Sequence, residues 1–324
     1  MNEIFEERAA YSQERNTELK QAISDRIAGI QLPGLAIFTV GSYGRLEASR
    51  HSDVDLFFTY NDDDPHGTRR TNEYRLFGRL IDIVEELEYP ALSNDAEFLQ
   101  SHLLKDMLKN LGSPEDDHRN YFTSRMLLLL ESRALYGEEE YSSILDSIIE
   151  TYYRDYPRHE DAFRPWFLLN DIMRFWKTLL LNYENRRNDA PQAVLVKSRV
   201  KNFKLKYSRA TTCFATIAAI GSAQEPVTKD AIRAIVSASP RQRLEMVASD
   251  IPSSASTVDD ALEEYAWFLE QTAKPTEDLQ QSLEHPTSRK EMFDRAQSYT
   301  ERLYQIIREI DAVGDGKFLR SLVV

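Results

Sequence analysis

The pattern of apolar and polar residues near the amino terminus predicts two short strands. Residues 35–40, Leu-Ala-Ile-Phe-Thr-Val, form an apolar run long enough for a buried strand that ends at Gly41-Ser42, where the chain can turn. Downstream, residues 53–56 alternate acidic and apolar side chains, which indicates a second strand with one buried face. A long helix from about Ile4 to Gly29 is predicted to precede both strands.

The segment after the second strand allows two incompatible interpretations. Residues 79–84 read as a strand that presents Asp82 between apolar neighbours. Alternatively, apolar residues recur at helical spacing through the same segment and mark one buried stripe: Tyr74, Phe77, Leu80, Ile81, Val84 and Leu87. We favour the helix, and residues 88–92 would then form the next strand.

From about residue 118 onward, nearly every segment is predicted to be helical. These helices cover about residues 118–136, 139–155, 161–186, 194–221, 228–249, 256–273 and 287–313, with Gly or Pro in the breaks between them. The expected fold class is therefore α+β. A small mixed sheet with flanking helices would occupy residues 1–117, and an all-α domain would occupy residues 118–324.

Composition limits the classes of function. The 324 residues are 42% hydrophobic and 29% charged, and no apolar run approaches the roughly 18 residues of a membrane span. The amino terminus lacks a basic stretch followed by an apolar one, so we expect a cytoplasmic protein. The net charge of −13 argues against general binding to duplex DNA, and the single cysteine, Cys213, cannot form an internal disulfide.

The candidate chemistry begins with the two acids of the second strand. Asp53 and Asp55 share one face, with Cβ atoms roughly 6.6 Å apart, and they repel each other by roughly 2.5 kcal/mol at an effective dielectric of about 20. Divalent cations held between these carboxylates and a polyphosphate would offset that repulsion, since Mg²⁺ favours carboxylate and phosphate oxygens. The spacing therefore predicts a site for two ions of Mg²⁺ or Mn²⁺.

The turn between the strands is the candidate phosphate site. Small residues at Gly41 and Ser42 would let a phosphate approach the backbone N–H groups, and the Ser42 hydroxyl can donate to it. Arg45 would add positive charge, and Ser52 immediately precedes the acidic pair. We therefore assign these four residues to nucleotide binding.

The combination of strand, Gly-Ser, about ten residues and Asp-x-Asp in a second strand resembles the DNA polymerase β-type nucleotidyltransferase superfamily. Within it, residues 41–45 and 51–56 are similar to the nucleotidyltransferase portion of the PII uridylyltransferases and to predicted stand-alone relatives of that portion. The resemblance implies metal-dependent transfer with Asp53 and Asp55 as the catalytic acids. It also implies a third carboxylate on a neighbouring strand, for which Asp82, Glu88 and Asp95 are the candidates.

Two predicted helices of the second region each carry basic residues grouped on one arc. Arg174 and Lys177 fall within one arc of a predicted helix, and Lys201 and Lys204 share an arc of the most basic segment in the chain. One interpretation is that these residues contact the nucleotide phosphates. The other is structural: Arg174 would pair with Asp171 on the same helix, and the lysines would form a solvated face.

The function expected from these features is transfer of a nucleoside monophosphate from an NTP, with ATP one candidate, to an acceptor with release of pyrophosphate. The acceptor is a protein, a small molecule or RNA. Two alternatives remain open: a catalytically inactive nucleotide-binding partner, and an enzyme that modifies tRNA or other RNA ends through the Lys197 to Arg209 helix.

Overall fold

The structure, a computed structural model, describes residues 2–61, 67, 69–90, 92, 99–185, 192–314 and 316–323. Its contacts divide the chain into two compact units, one of Glu6–Thr151 and one of Met1–Phe5 with Tyr152–Val324. The sequence pattern places the domain boundary near residue 118, which is earlier in the chain than the division between Thr151 and Tyr152. The reason is that this pattern predicts helix throughout residues 118–136. Residues 133–136 instead supply a strand to the sheet of the first unit.

The first unit is built on one mixed sheet. Its strands are β1 (Leu35–Val40), β2 (Asp55–Tyr60), β3 (Ser101–Leu103) and β4 (Arg133–Tyr136), in the order β3-β2-β1-β4. Strand β1 runs antiparallel to both β2 and β4, whereas β2 and β3 are parallel. The small mixed sheet expected from the sequence is confirmed.

Helices cover the two faces of this sheet. They are α1 (Asn2–Ile27), α2 (Gly41–Arg45), α3 (Arg69–Glu86), α4 (Leu104–Lys109), α5 (Pro114–His118), α6 (Tyr121–Glu131) and α7 (Glu138–Thr151). On one face, Leu19 and Ile23 of α1 and Leu80 of α3 join the apolar side chains of the strands in a single buried cluster. On the other face, α6 and α7 contact β1, and the rings of Phe38 and Tyr141 lie 5.9 Å apart.

Helix α3 decides between the two interpretations of the segment after β2. Residues 69–86 are helical, so the strand that would have presented Asp82 is wrong, and Asp82 is exposed. The strand predicted at residues 88–92 is also wrong for the described residues 88–90. Glu88 has a left-handed φ of 55°, and the N–H of Tyr89 bonds back to the Val84 carbonyl, which closes the end of α3.

The second unit is helical apart from its connections. Its helices are α8 (Trp166–Asn185), α9 (Gln192–Lys204), α10 (Ala210–Ser222), α11 (Lys229–Ser237), α12 (Pro240–Asp250), α13 (Ala255–Gln271), α14 (Thr276–Glu284), α15 (Pro286–Val313) and α16 (Phe318–Val323). A π-helical turn, Leu205–Arg209, joins α9 to α10. Short 3₁₀ turns occupy Tyr156–Arg158 and Pro252–Ser254.

Most of this unit follows the predicted helices, but some of their bounds differ. The helix predicted at 228–249 is two helices, because Ser239 caps α12 through a capping box with Gln242. Helices α14 and α16 were not predicted. At the π turn, Tyr207 stacks between Phe268 at 4.8 Å and Tyr299 at 4.7 Å, measured between ring centroids. Across the described ranges, no helix is both long and apolar enough to cross a bilayer.

Candidate active site

The site lies where β1 ends and β2 begins. Val40, the last residue of β1, pairs with Asp55, the first residue of β2, so the turn that follows β1 stands beside this carboxylate. Gly41 opens the turn with a φ of +69°, which L side chains rarely adopt. A Cβ built on Gly41 would lie 3.1 Å from Asp55 Oδ2, so glycine also leaves room for the acid.

The two aspartates lie at the start of β2: Asp55 is its first residue, and Asp53 stands two residues before the strand. Val54 is 1% exposed and Leu56 is 3% exposed, and both belong to the cluster that packs against α1 and α3. Asp55, which lies between them, is partly exposed, and Asp53, which precedes Val54, is exposed. Burial thus alternates over residues 53–56, as the sequence predicted, and neither acid is buried, but Asp53 and Val54 precede β2, so the predicted strand begins two residues late.

Helix α2 is held on one side by aromatic packing. Tyr43 is 1% exposed, and its ring meets that of Tyr89 edge-on at 5.6 Å. Asn16 of α1 donates to the Tyr43 carbonyl at 3.3 Å, and Arg15 lies over the Tyr89 ring at 4.0 Å. Burial raises the pKa of both phenols, that of Tyr89 to about 12, so both hydroxyls stay neutral and anchor α2 as packed rings.

The other side of α2 meets the end of α6 and the start of β4. A Cβ on Gly44 would lie 1.8 Å from the Glu131 carbonyl oxygen, so the two backbones touch here. Arg45 is 6% exposed, and its Nε donates to Glu47 at 2.7 Å while Nη1 donates to Glu131. Arg133 Nε donates to the Gly44 carbonyl at 3.2 Å.

This arrangement differs from the role the sequence suggested for Arg45. We expected its charge to lie near the phosphates, yet the guanidinium is buried and already neutralised by Glu47 and Glu131. The physical reason is that residue 131, remote in sequence, brings a second carboxylate to the same guanidinium. A phosphate role for Arg45 stays a prediction that now has to compete with this ion pair.

The two serines of the predicted site have different surroundings. Ser42 lies between buried neighbours on α2 but is itself partly exposed. Ser52 belongs to a tight turn: its N–H donates to the Ser49 carbonyl at 2.9 Å, and its Oγ accepts from the Ser49 N–H at 3.0 Å. Ser52 therefore shapes the turn that leads into Asp53, whereas Ser42 keeps part of its surface exposed to solvent.

A third carboxylate is not found on the strand beside β2. Strand β3 carries Ser101, His102 and Leu103. Among the described residues, no group of three His, Cys, Asp or Glu side chains is arranged to hold a metal ion. Glu88 is exposed in the turn after α3, and Asp95 lies outside the described residues.

His102 is a residue that the sequence analysis did not single out. It pairs with Thr59 of β2, is 7% exposed and packs edge-on against Tyr121 at 5.4 Å. Burial lowers the pKa of its imidazole to about 4, so the ring is neutral at pH 7. A neutral ring packed against an aromatic side chain is a structural part of the sheet.

The remaining predicted residues lie in the other unit. Arg174 stands 3.7 Å from Asp171 on the same helix, which matches the structural interpretation of that pair. Lys177 on α8 is exposed, and so are Lys201 and Lys204 on α9. The apolar stripe expected beneath the lysines is present, since Val200 is 6% exposed and Phe203 is fully buried.

Sequence reasoning missed the two glutamates that bind Arg45. Glu47 follows Arg45 by two residues, and the pattern Arg-x-Glu inside the motif is the only signal that could have indicated it. Glu131 is 86 residues from Arg45, and nothing local marks it. Only the packing of α6 against α2 brings it to the motif.

Comparison with protein families gives one match. A model described as "Nucleotidyltransferase domain" matches residues 18–106, from the middle of α1 through β1, the Gly41-Ser42 turn, β2, α3 and β3 into α4. The matched region includes Asp53 and Asp55 and ends before α6 and β4. A search among curated proteins found no match.

Proposed function

We propose that this protein is a metal-dependent nucleotidyltransferase, which moves a nucleoside monophosphate from an NTP to an acceptor hydroxyl and releases pyrophosphate. The nucleotidyltransferase match at residues 18–106 supports the general reaction. The geometry around Asp55 supports the assignment of the site to this chain's own residues.

The observation that carries the proposal is the contact between the turn and the acidic strand. Asp55 Oδ2 lies so near Gly41 that a Cβ there would stand 3.1 Å away, and Asp53, two residues before Asp55, is exposed. A nucleotide whose phosphates meet the turn would therefore reach both carboxylates. No side chain intervenes at residue 41.

The donor set suits Mg²⁺ or Mn²⁺. Two carboxylates two residues apart, one on the first residue of β2 and one just before the strand, together with phosphate oxygens and water, are the ligands that such ions prefer. Asp53 and Asp55 would hold the metal ion. The bound ion would stabilise the negative charge that develops on the phosphate oxygens. No third acid of the described residues joins the pair, so the nucleotide itself would complete the coordination.

The protein residues then act mainly by positioning. The Ser42 hydroxyl can donate to a terminal phosphate oxygen, and the absence of side chains at Gly41 admits the phosphate to the backbone. Tyr43 and Gly44 fix α2 from two sides, so the hydroxyl does not have to be ordered when substrate binds. Fixed groups of this kind account for most of the catalysis in phosphoryl transfer.

The proposal is tested by incubating the protein with each labelled NTP, with Mg²⁺, Mn²⁺ or a chelator. A host lysate separated into protein, RNA and small-molecule fractions serves as the source of acceptors. We expect metal-dependent pyrophosphate release and label in one fraction. Absence of both with every NTP and either metal would contradict the proposal.

A second candidate function follows from strand β3. Because its residues are Ser101, His102 and Leu103, the neighbouring strand offers no acid, and the chain could bind a nucleotide without transferring it. In that case the same assay gives saturable NTP binding with no pyrophosphate. Label in the RNA fraction, with affinity that falls steeply as salt rises, would instead favour modification of RNA ends.

A further inference from the structure

We infer that Arg45 is a positioning residue and that Glu131, outside the matched region, completes the phosphate-binding turn by holding it. The inference rests on the proposed function for its catalytic consequence. Its structural part, that the end of α6 fixes the conformation of residues 41–46, can be measured without any turnover.

Three separate contacts join α2 to residues 131–133. The backbone carbonyl of Glu131 lies where a Cβ of Gly44 would be, at 1.8 Å, so no side chain could be inserted between the two elements. The Glu131 carboxylate accepts from Arg45 Nη1, and Arg133 Nε donates to the Gly44 carbonyl at 3.2 Å. The Glu131 carbonyl, the Glu131 carboxylate and the Arg133 guanidinium therefore all contact the same turn.

The ion pair of Arg45 with the two glutamates is buried. The side chains of Arg45 and Glu47 are each 6% exposed, and that of Glu131 is 0% exposed. A guanidinium can donate to two carboxylates at once from different sides of its planar fork, which an ammonium cannot do with the same geometry. Because these side chains are buried, loss of one partner is costly to the ion pair, since a buried charge is stabilised by its partners rather than by water.

The consequence for the site follows from the position of Ser42 and Gly41. Both precede Arg45 in the same five-residue helix, and the N–H groups of Leu46 and Glu47 bond to the carbonyls of Tyr43 and Ser42. Movement of Arg45 away from Glu131 would therefore shift the residues that admit the phosphate. Outer contacts of this kind typically change affinity or activity by about 10- to 100-fold when they are removed.

Two substitutions separate a positioning role from direct phosphate binding. Arg45→Lys keeps the positive charge but cannot hold both glutamates, and Glu131→Gln removes one competing carboxylate. If Arg45 bound phosphate, Lys would retain most of the activity, and Glu131→Gln would free the guanidinium and lower the KM for NTP. If Arg45 positions the turn, both variants raise that KM and lower kcat/KM by about 10-fold or more.

Hydrogen exchange of the backbone amides of residues 41–46 provides a readout that is independent of activity. We expect exchange in both variants to be at least about tenfold faster than in the native protein, at a temperature well below unfolding. The matched control is Asp116→Asn, which breaks an equally buried pair between Asp116 on α5 and Arg125 on α6, the helix that also carries Glu131. It should lower the unfolding temperature and leave exchange at residues 41–46 unchanged.

Should Glu131→Gln fail to fold, Arg133→Lys decides the question, because it removes the Nε donor to Gly44 and keeps the charge. Faster exchange of the same amides supports the inference. Unchanged exchange in Arg45→Lys and Arg133→Lys, or an equal increase in Asp116→Asn, overturns it. If the native protein shows no transfer with any NTP, the proposed function fails, while the exchange results still decide whether Glu131 holds the turn.

Discussion

The two compact units use their charged residues in different ways. In the unit of Glu6–Thr151, Arg45 and Arg125 are both buried, and each is bound to carboxylates that come from other parts of the chain or from a neighbouring helix. In the helical unit, Lys177, Lys201 and Lys204 are exposed. The two buried arginines of the first unit therefore hold neighbouring elements together, whereas an exposed lysine lies in solvent, where single ion pairs are weak.

The helical unit also has a buried arginine, and its role differs from that of Arg45. Arg243 is 1% exposed, and it donates to the carbonyls of Ile235 at 2.9 Å and Val236 at 3.1 Å and to the Thr216 hydroxyl at 2.6 Å. It closes the carboxyl end of α11 and so serves the packing of helices. Arg45 occupies a similar depth but belongs to the turn beside Asp55, so burial alone does not distinguish a scaffold arginine from one that serves the site.

The largest effect is expected at the acidic pair. We predict that Asp53→Asn or Asp55→Asn lowers turnover by at least about 10²-fold, because each removes one preorganised charge from the site. Steady-state kinetics with pyrophosphate detection measures the change. Asp82→Asn is the matched control, since Asp82 is exposed on α3 and should leave turnover unaltered. Full activity in both Asp53 and Asp55 variants would reject the assigned site.

The next effect concerns Gly44. We expect Gly44→Ala to destabilise the fold by about 3 kcal/mol or more, because the new Cβ would meet the Glu131 carbonyl at 1.8 Å and the backbones would have to separate. Gly78→Ala is the control, since no atom lies within 4 Å of a Cβ there. That substitution should be neutral or stabilising by up to about 1 kcal/mol. Denaturant unfolding of both variants compares them, and equal stabilities would show that α2 does not rest on α6.

A smaller effect should appear as a dependence of stability on pH. The pKa of His102 is about 4 in the folded protein, lowered by burial, whereas an exposed imidazole has a pKa of about 6.5. The folded state therefore binds fewer protons between these values. The contribution of His102 to the free energy of unfolding is therefore complete above about pH 6.5 and is lost as pH falls toward 4. The loss amounts to at most about 3 kcal/mol.

The measurement is the free energy of unfolding between pH 4.5 and 7, compared for the native protein and His102→Phe. We expect the free energy of unfolding of the variant to decline less at acidic pH than that of the native protein, because Phe keeps the packing against Tyr121 and cannot titrate. His118→Gln, at an exposed position on α5, is the control and should follow the native profile. Identical slopes for native protein and His102→Phe would exclude the buried imidazole as the cause.

The smallest effects are expected on the exposed helix faces of the second unit. Lys177→Ala or Lys201→Ala should raise the KM for NTP by no more than about fivefold and leave stability unchanged, since an exposed charge contributes about 1 kcal/mol or less. Nucleotide titrations at low and moderate salt test this. A KM that does not change in either variant removes these residues from the site and confines binding to the first unit.

The sequence predicted the parts of the site that depend on local pattern. The bounds of β1 agree with the apolar run at residues 35–40, and the alternation of burial around Asp53 and Asp55 agrees with the predicted pattern, although the strand itself begins only at Asp55. It did not predict β4, since residues 133–136 continue a run that reads as helix. Short strands gain their stability from pairing with a partner, and here that partner is β1, which lies far away in sequence.

The order of residues in this chain was enough to specify a glycine-serine turn followed by a strand that begins at an acid, because side-chain period and glycine conformation are properties of neighbouring residues. The partners of Arg45 and the close approach of Gly44 to Glu131 were decided by the tertiary structure alone. Contacts across 86 residues leave no local periodicity, and only the packing of α6 against α2 brings these groups together.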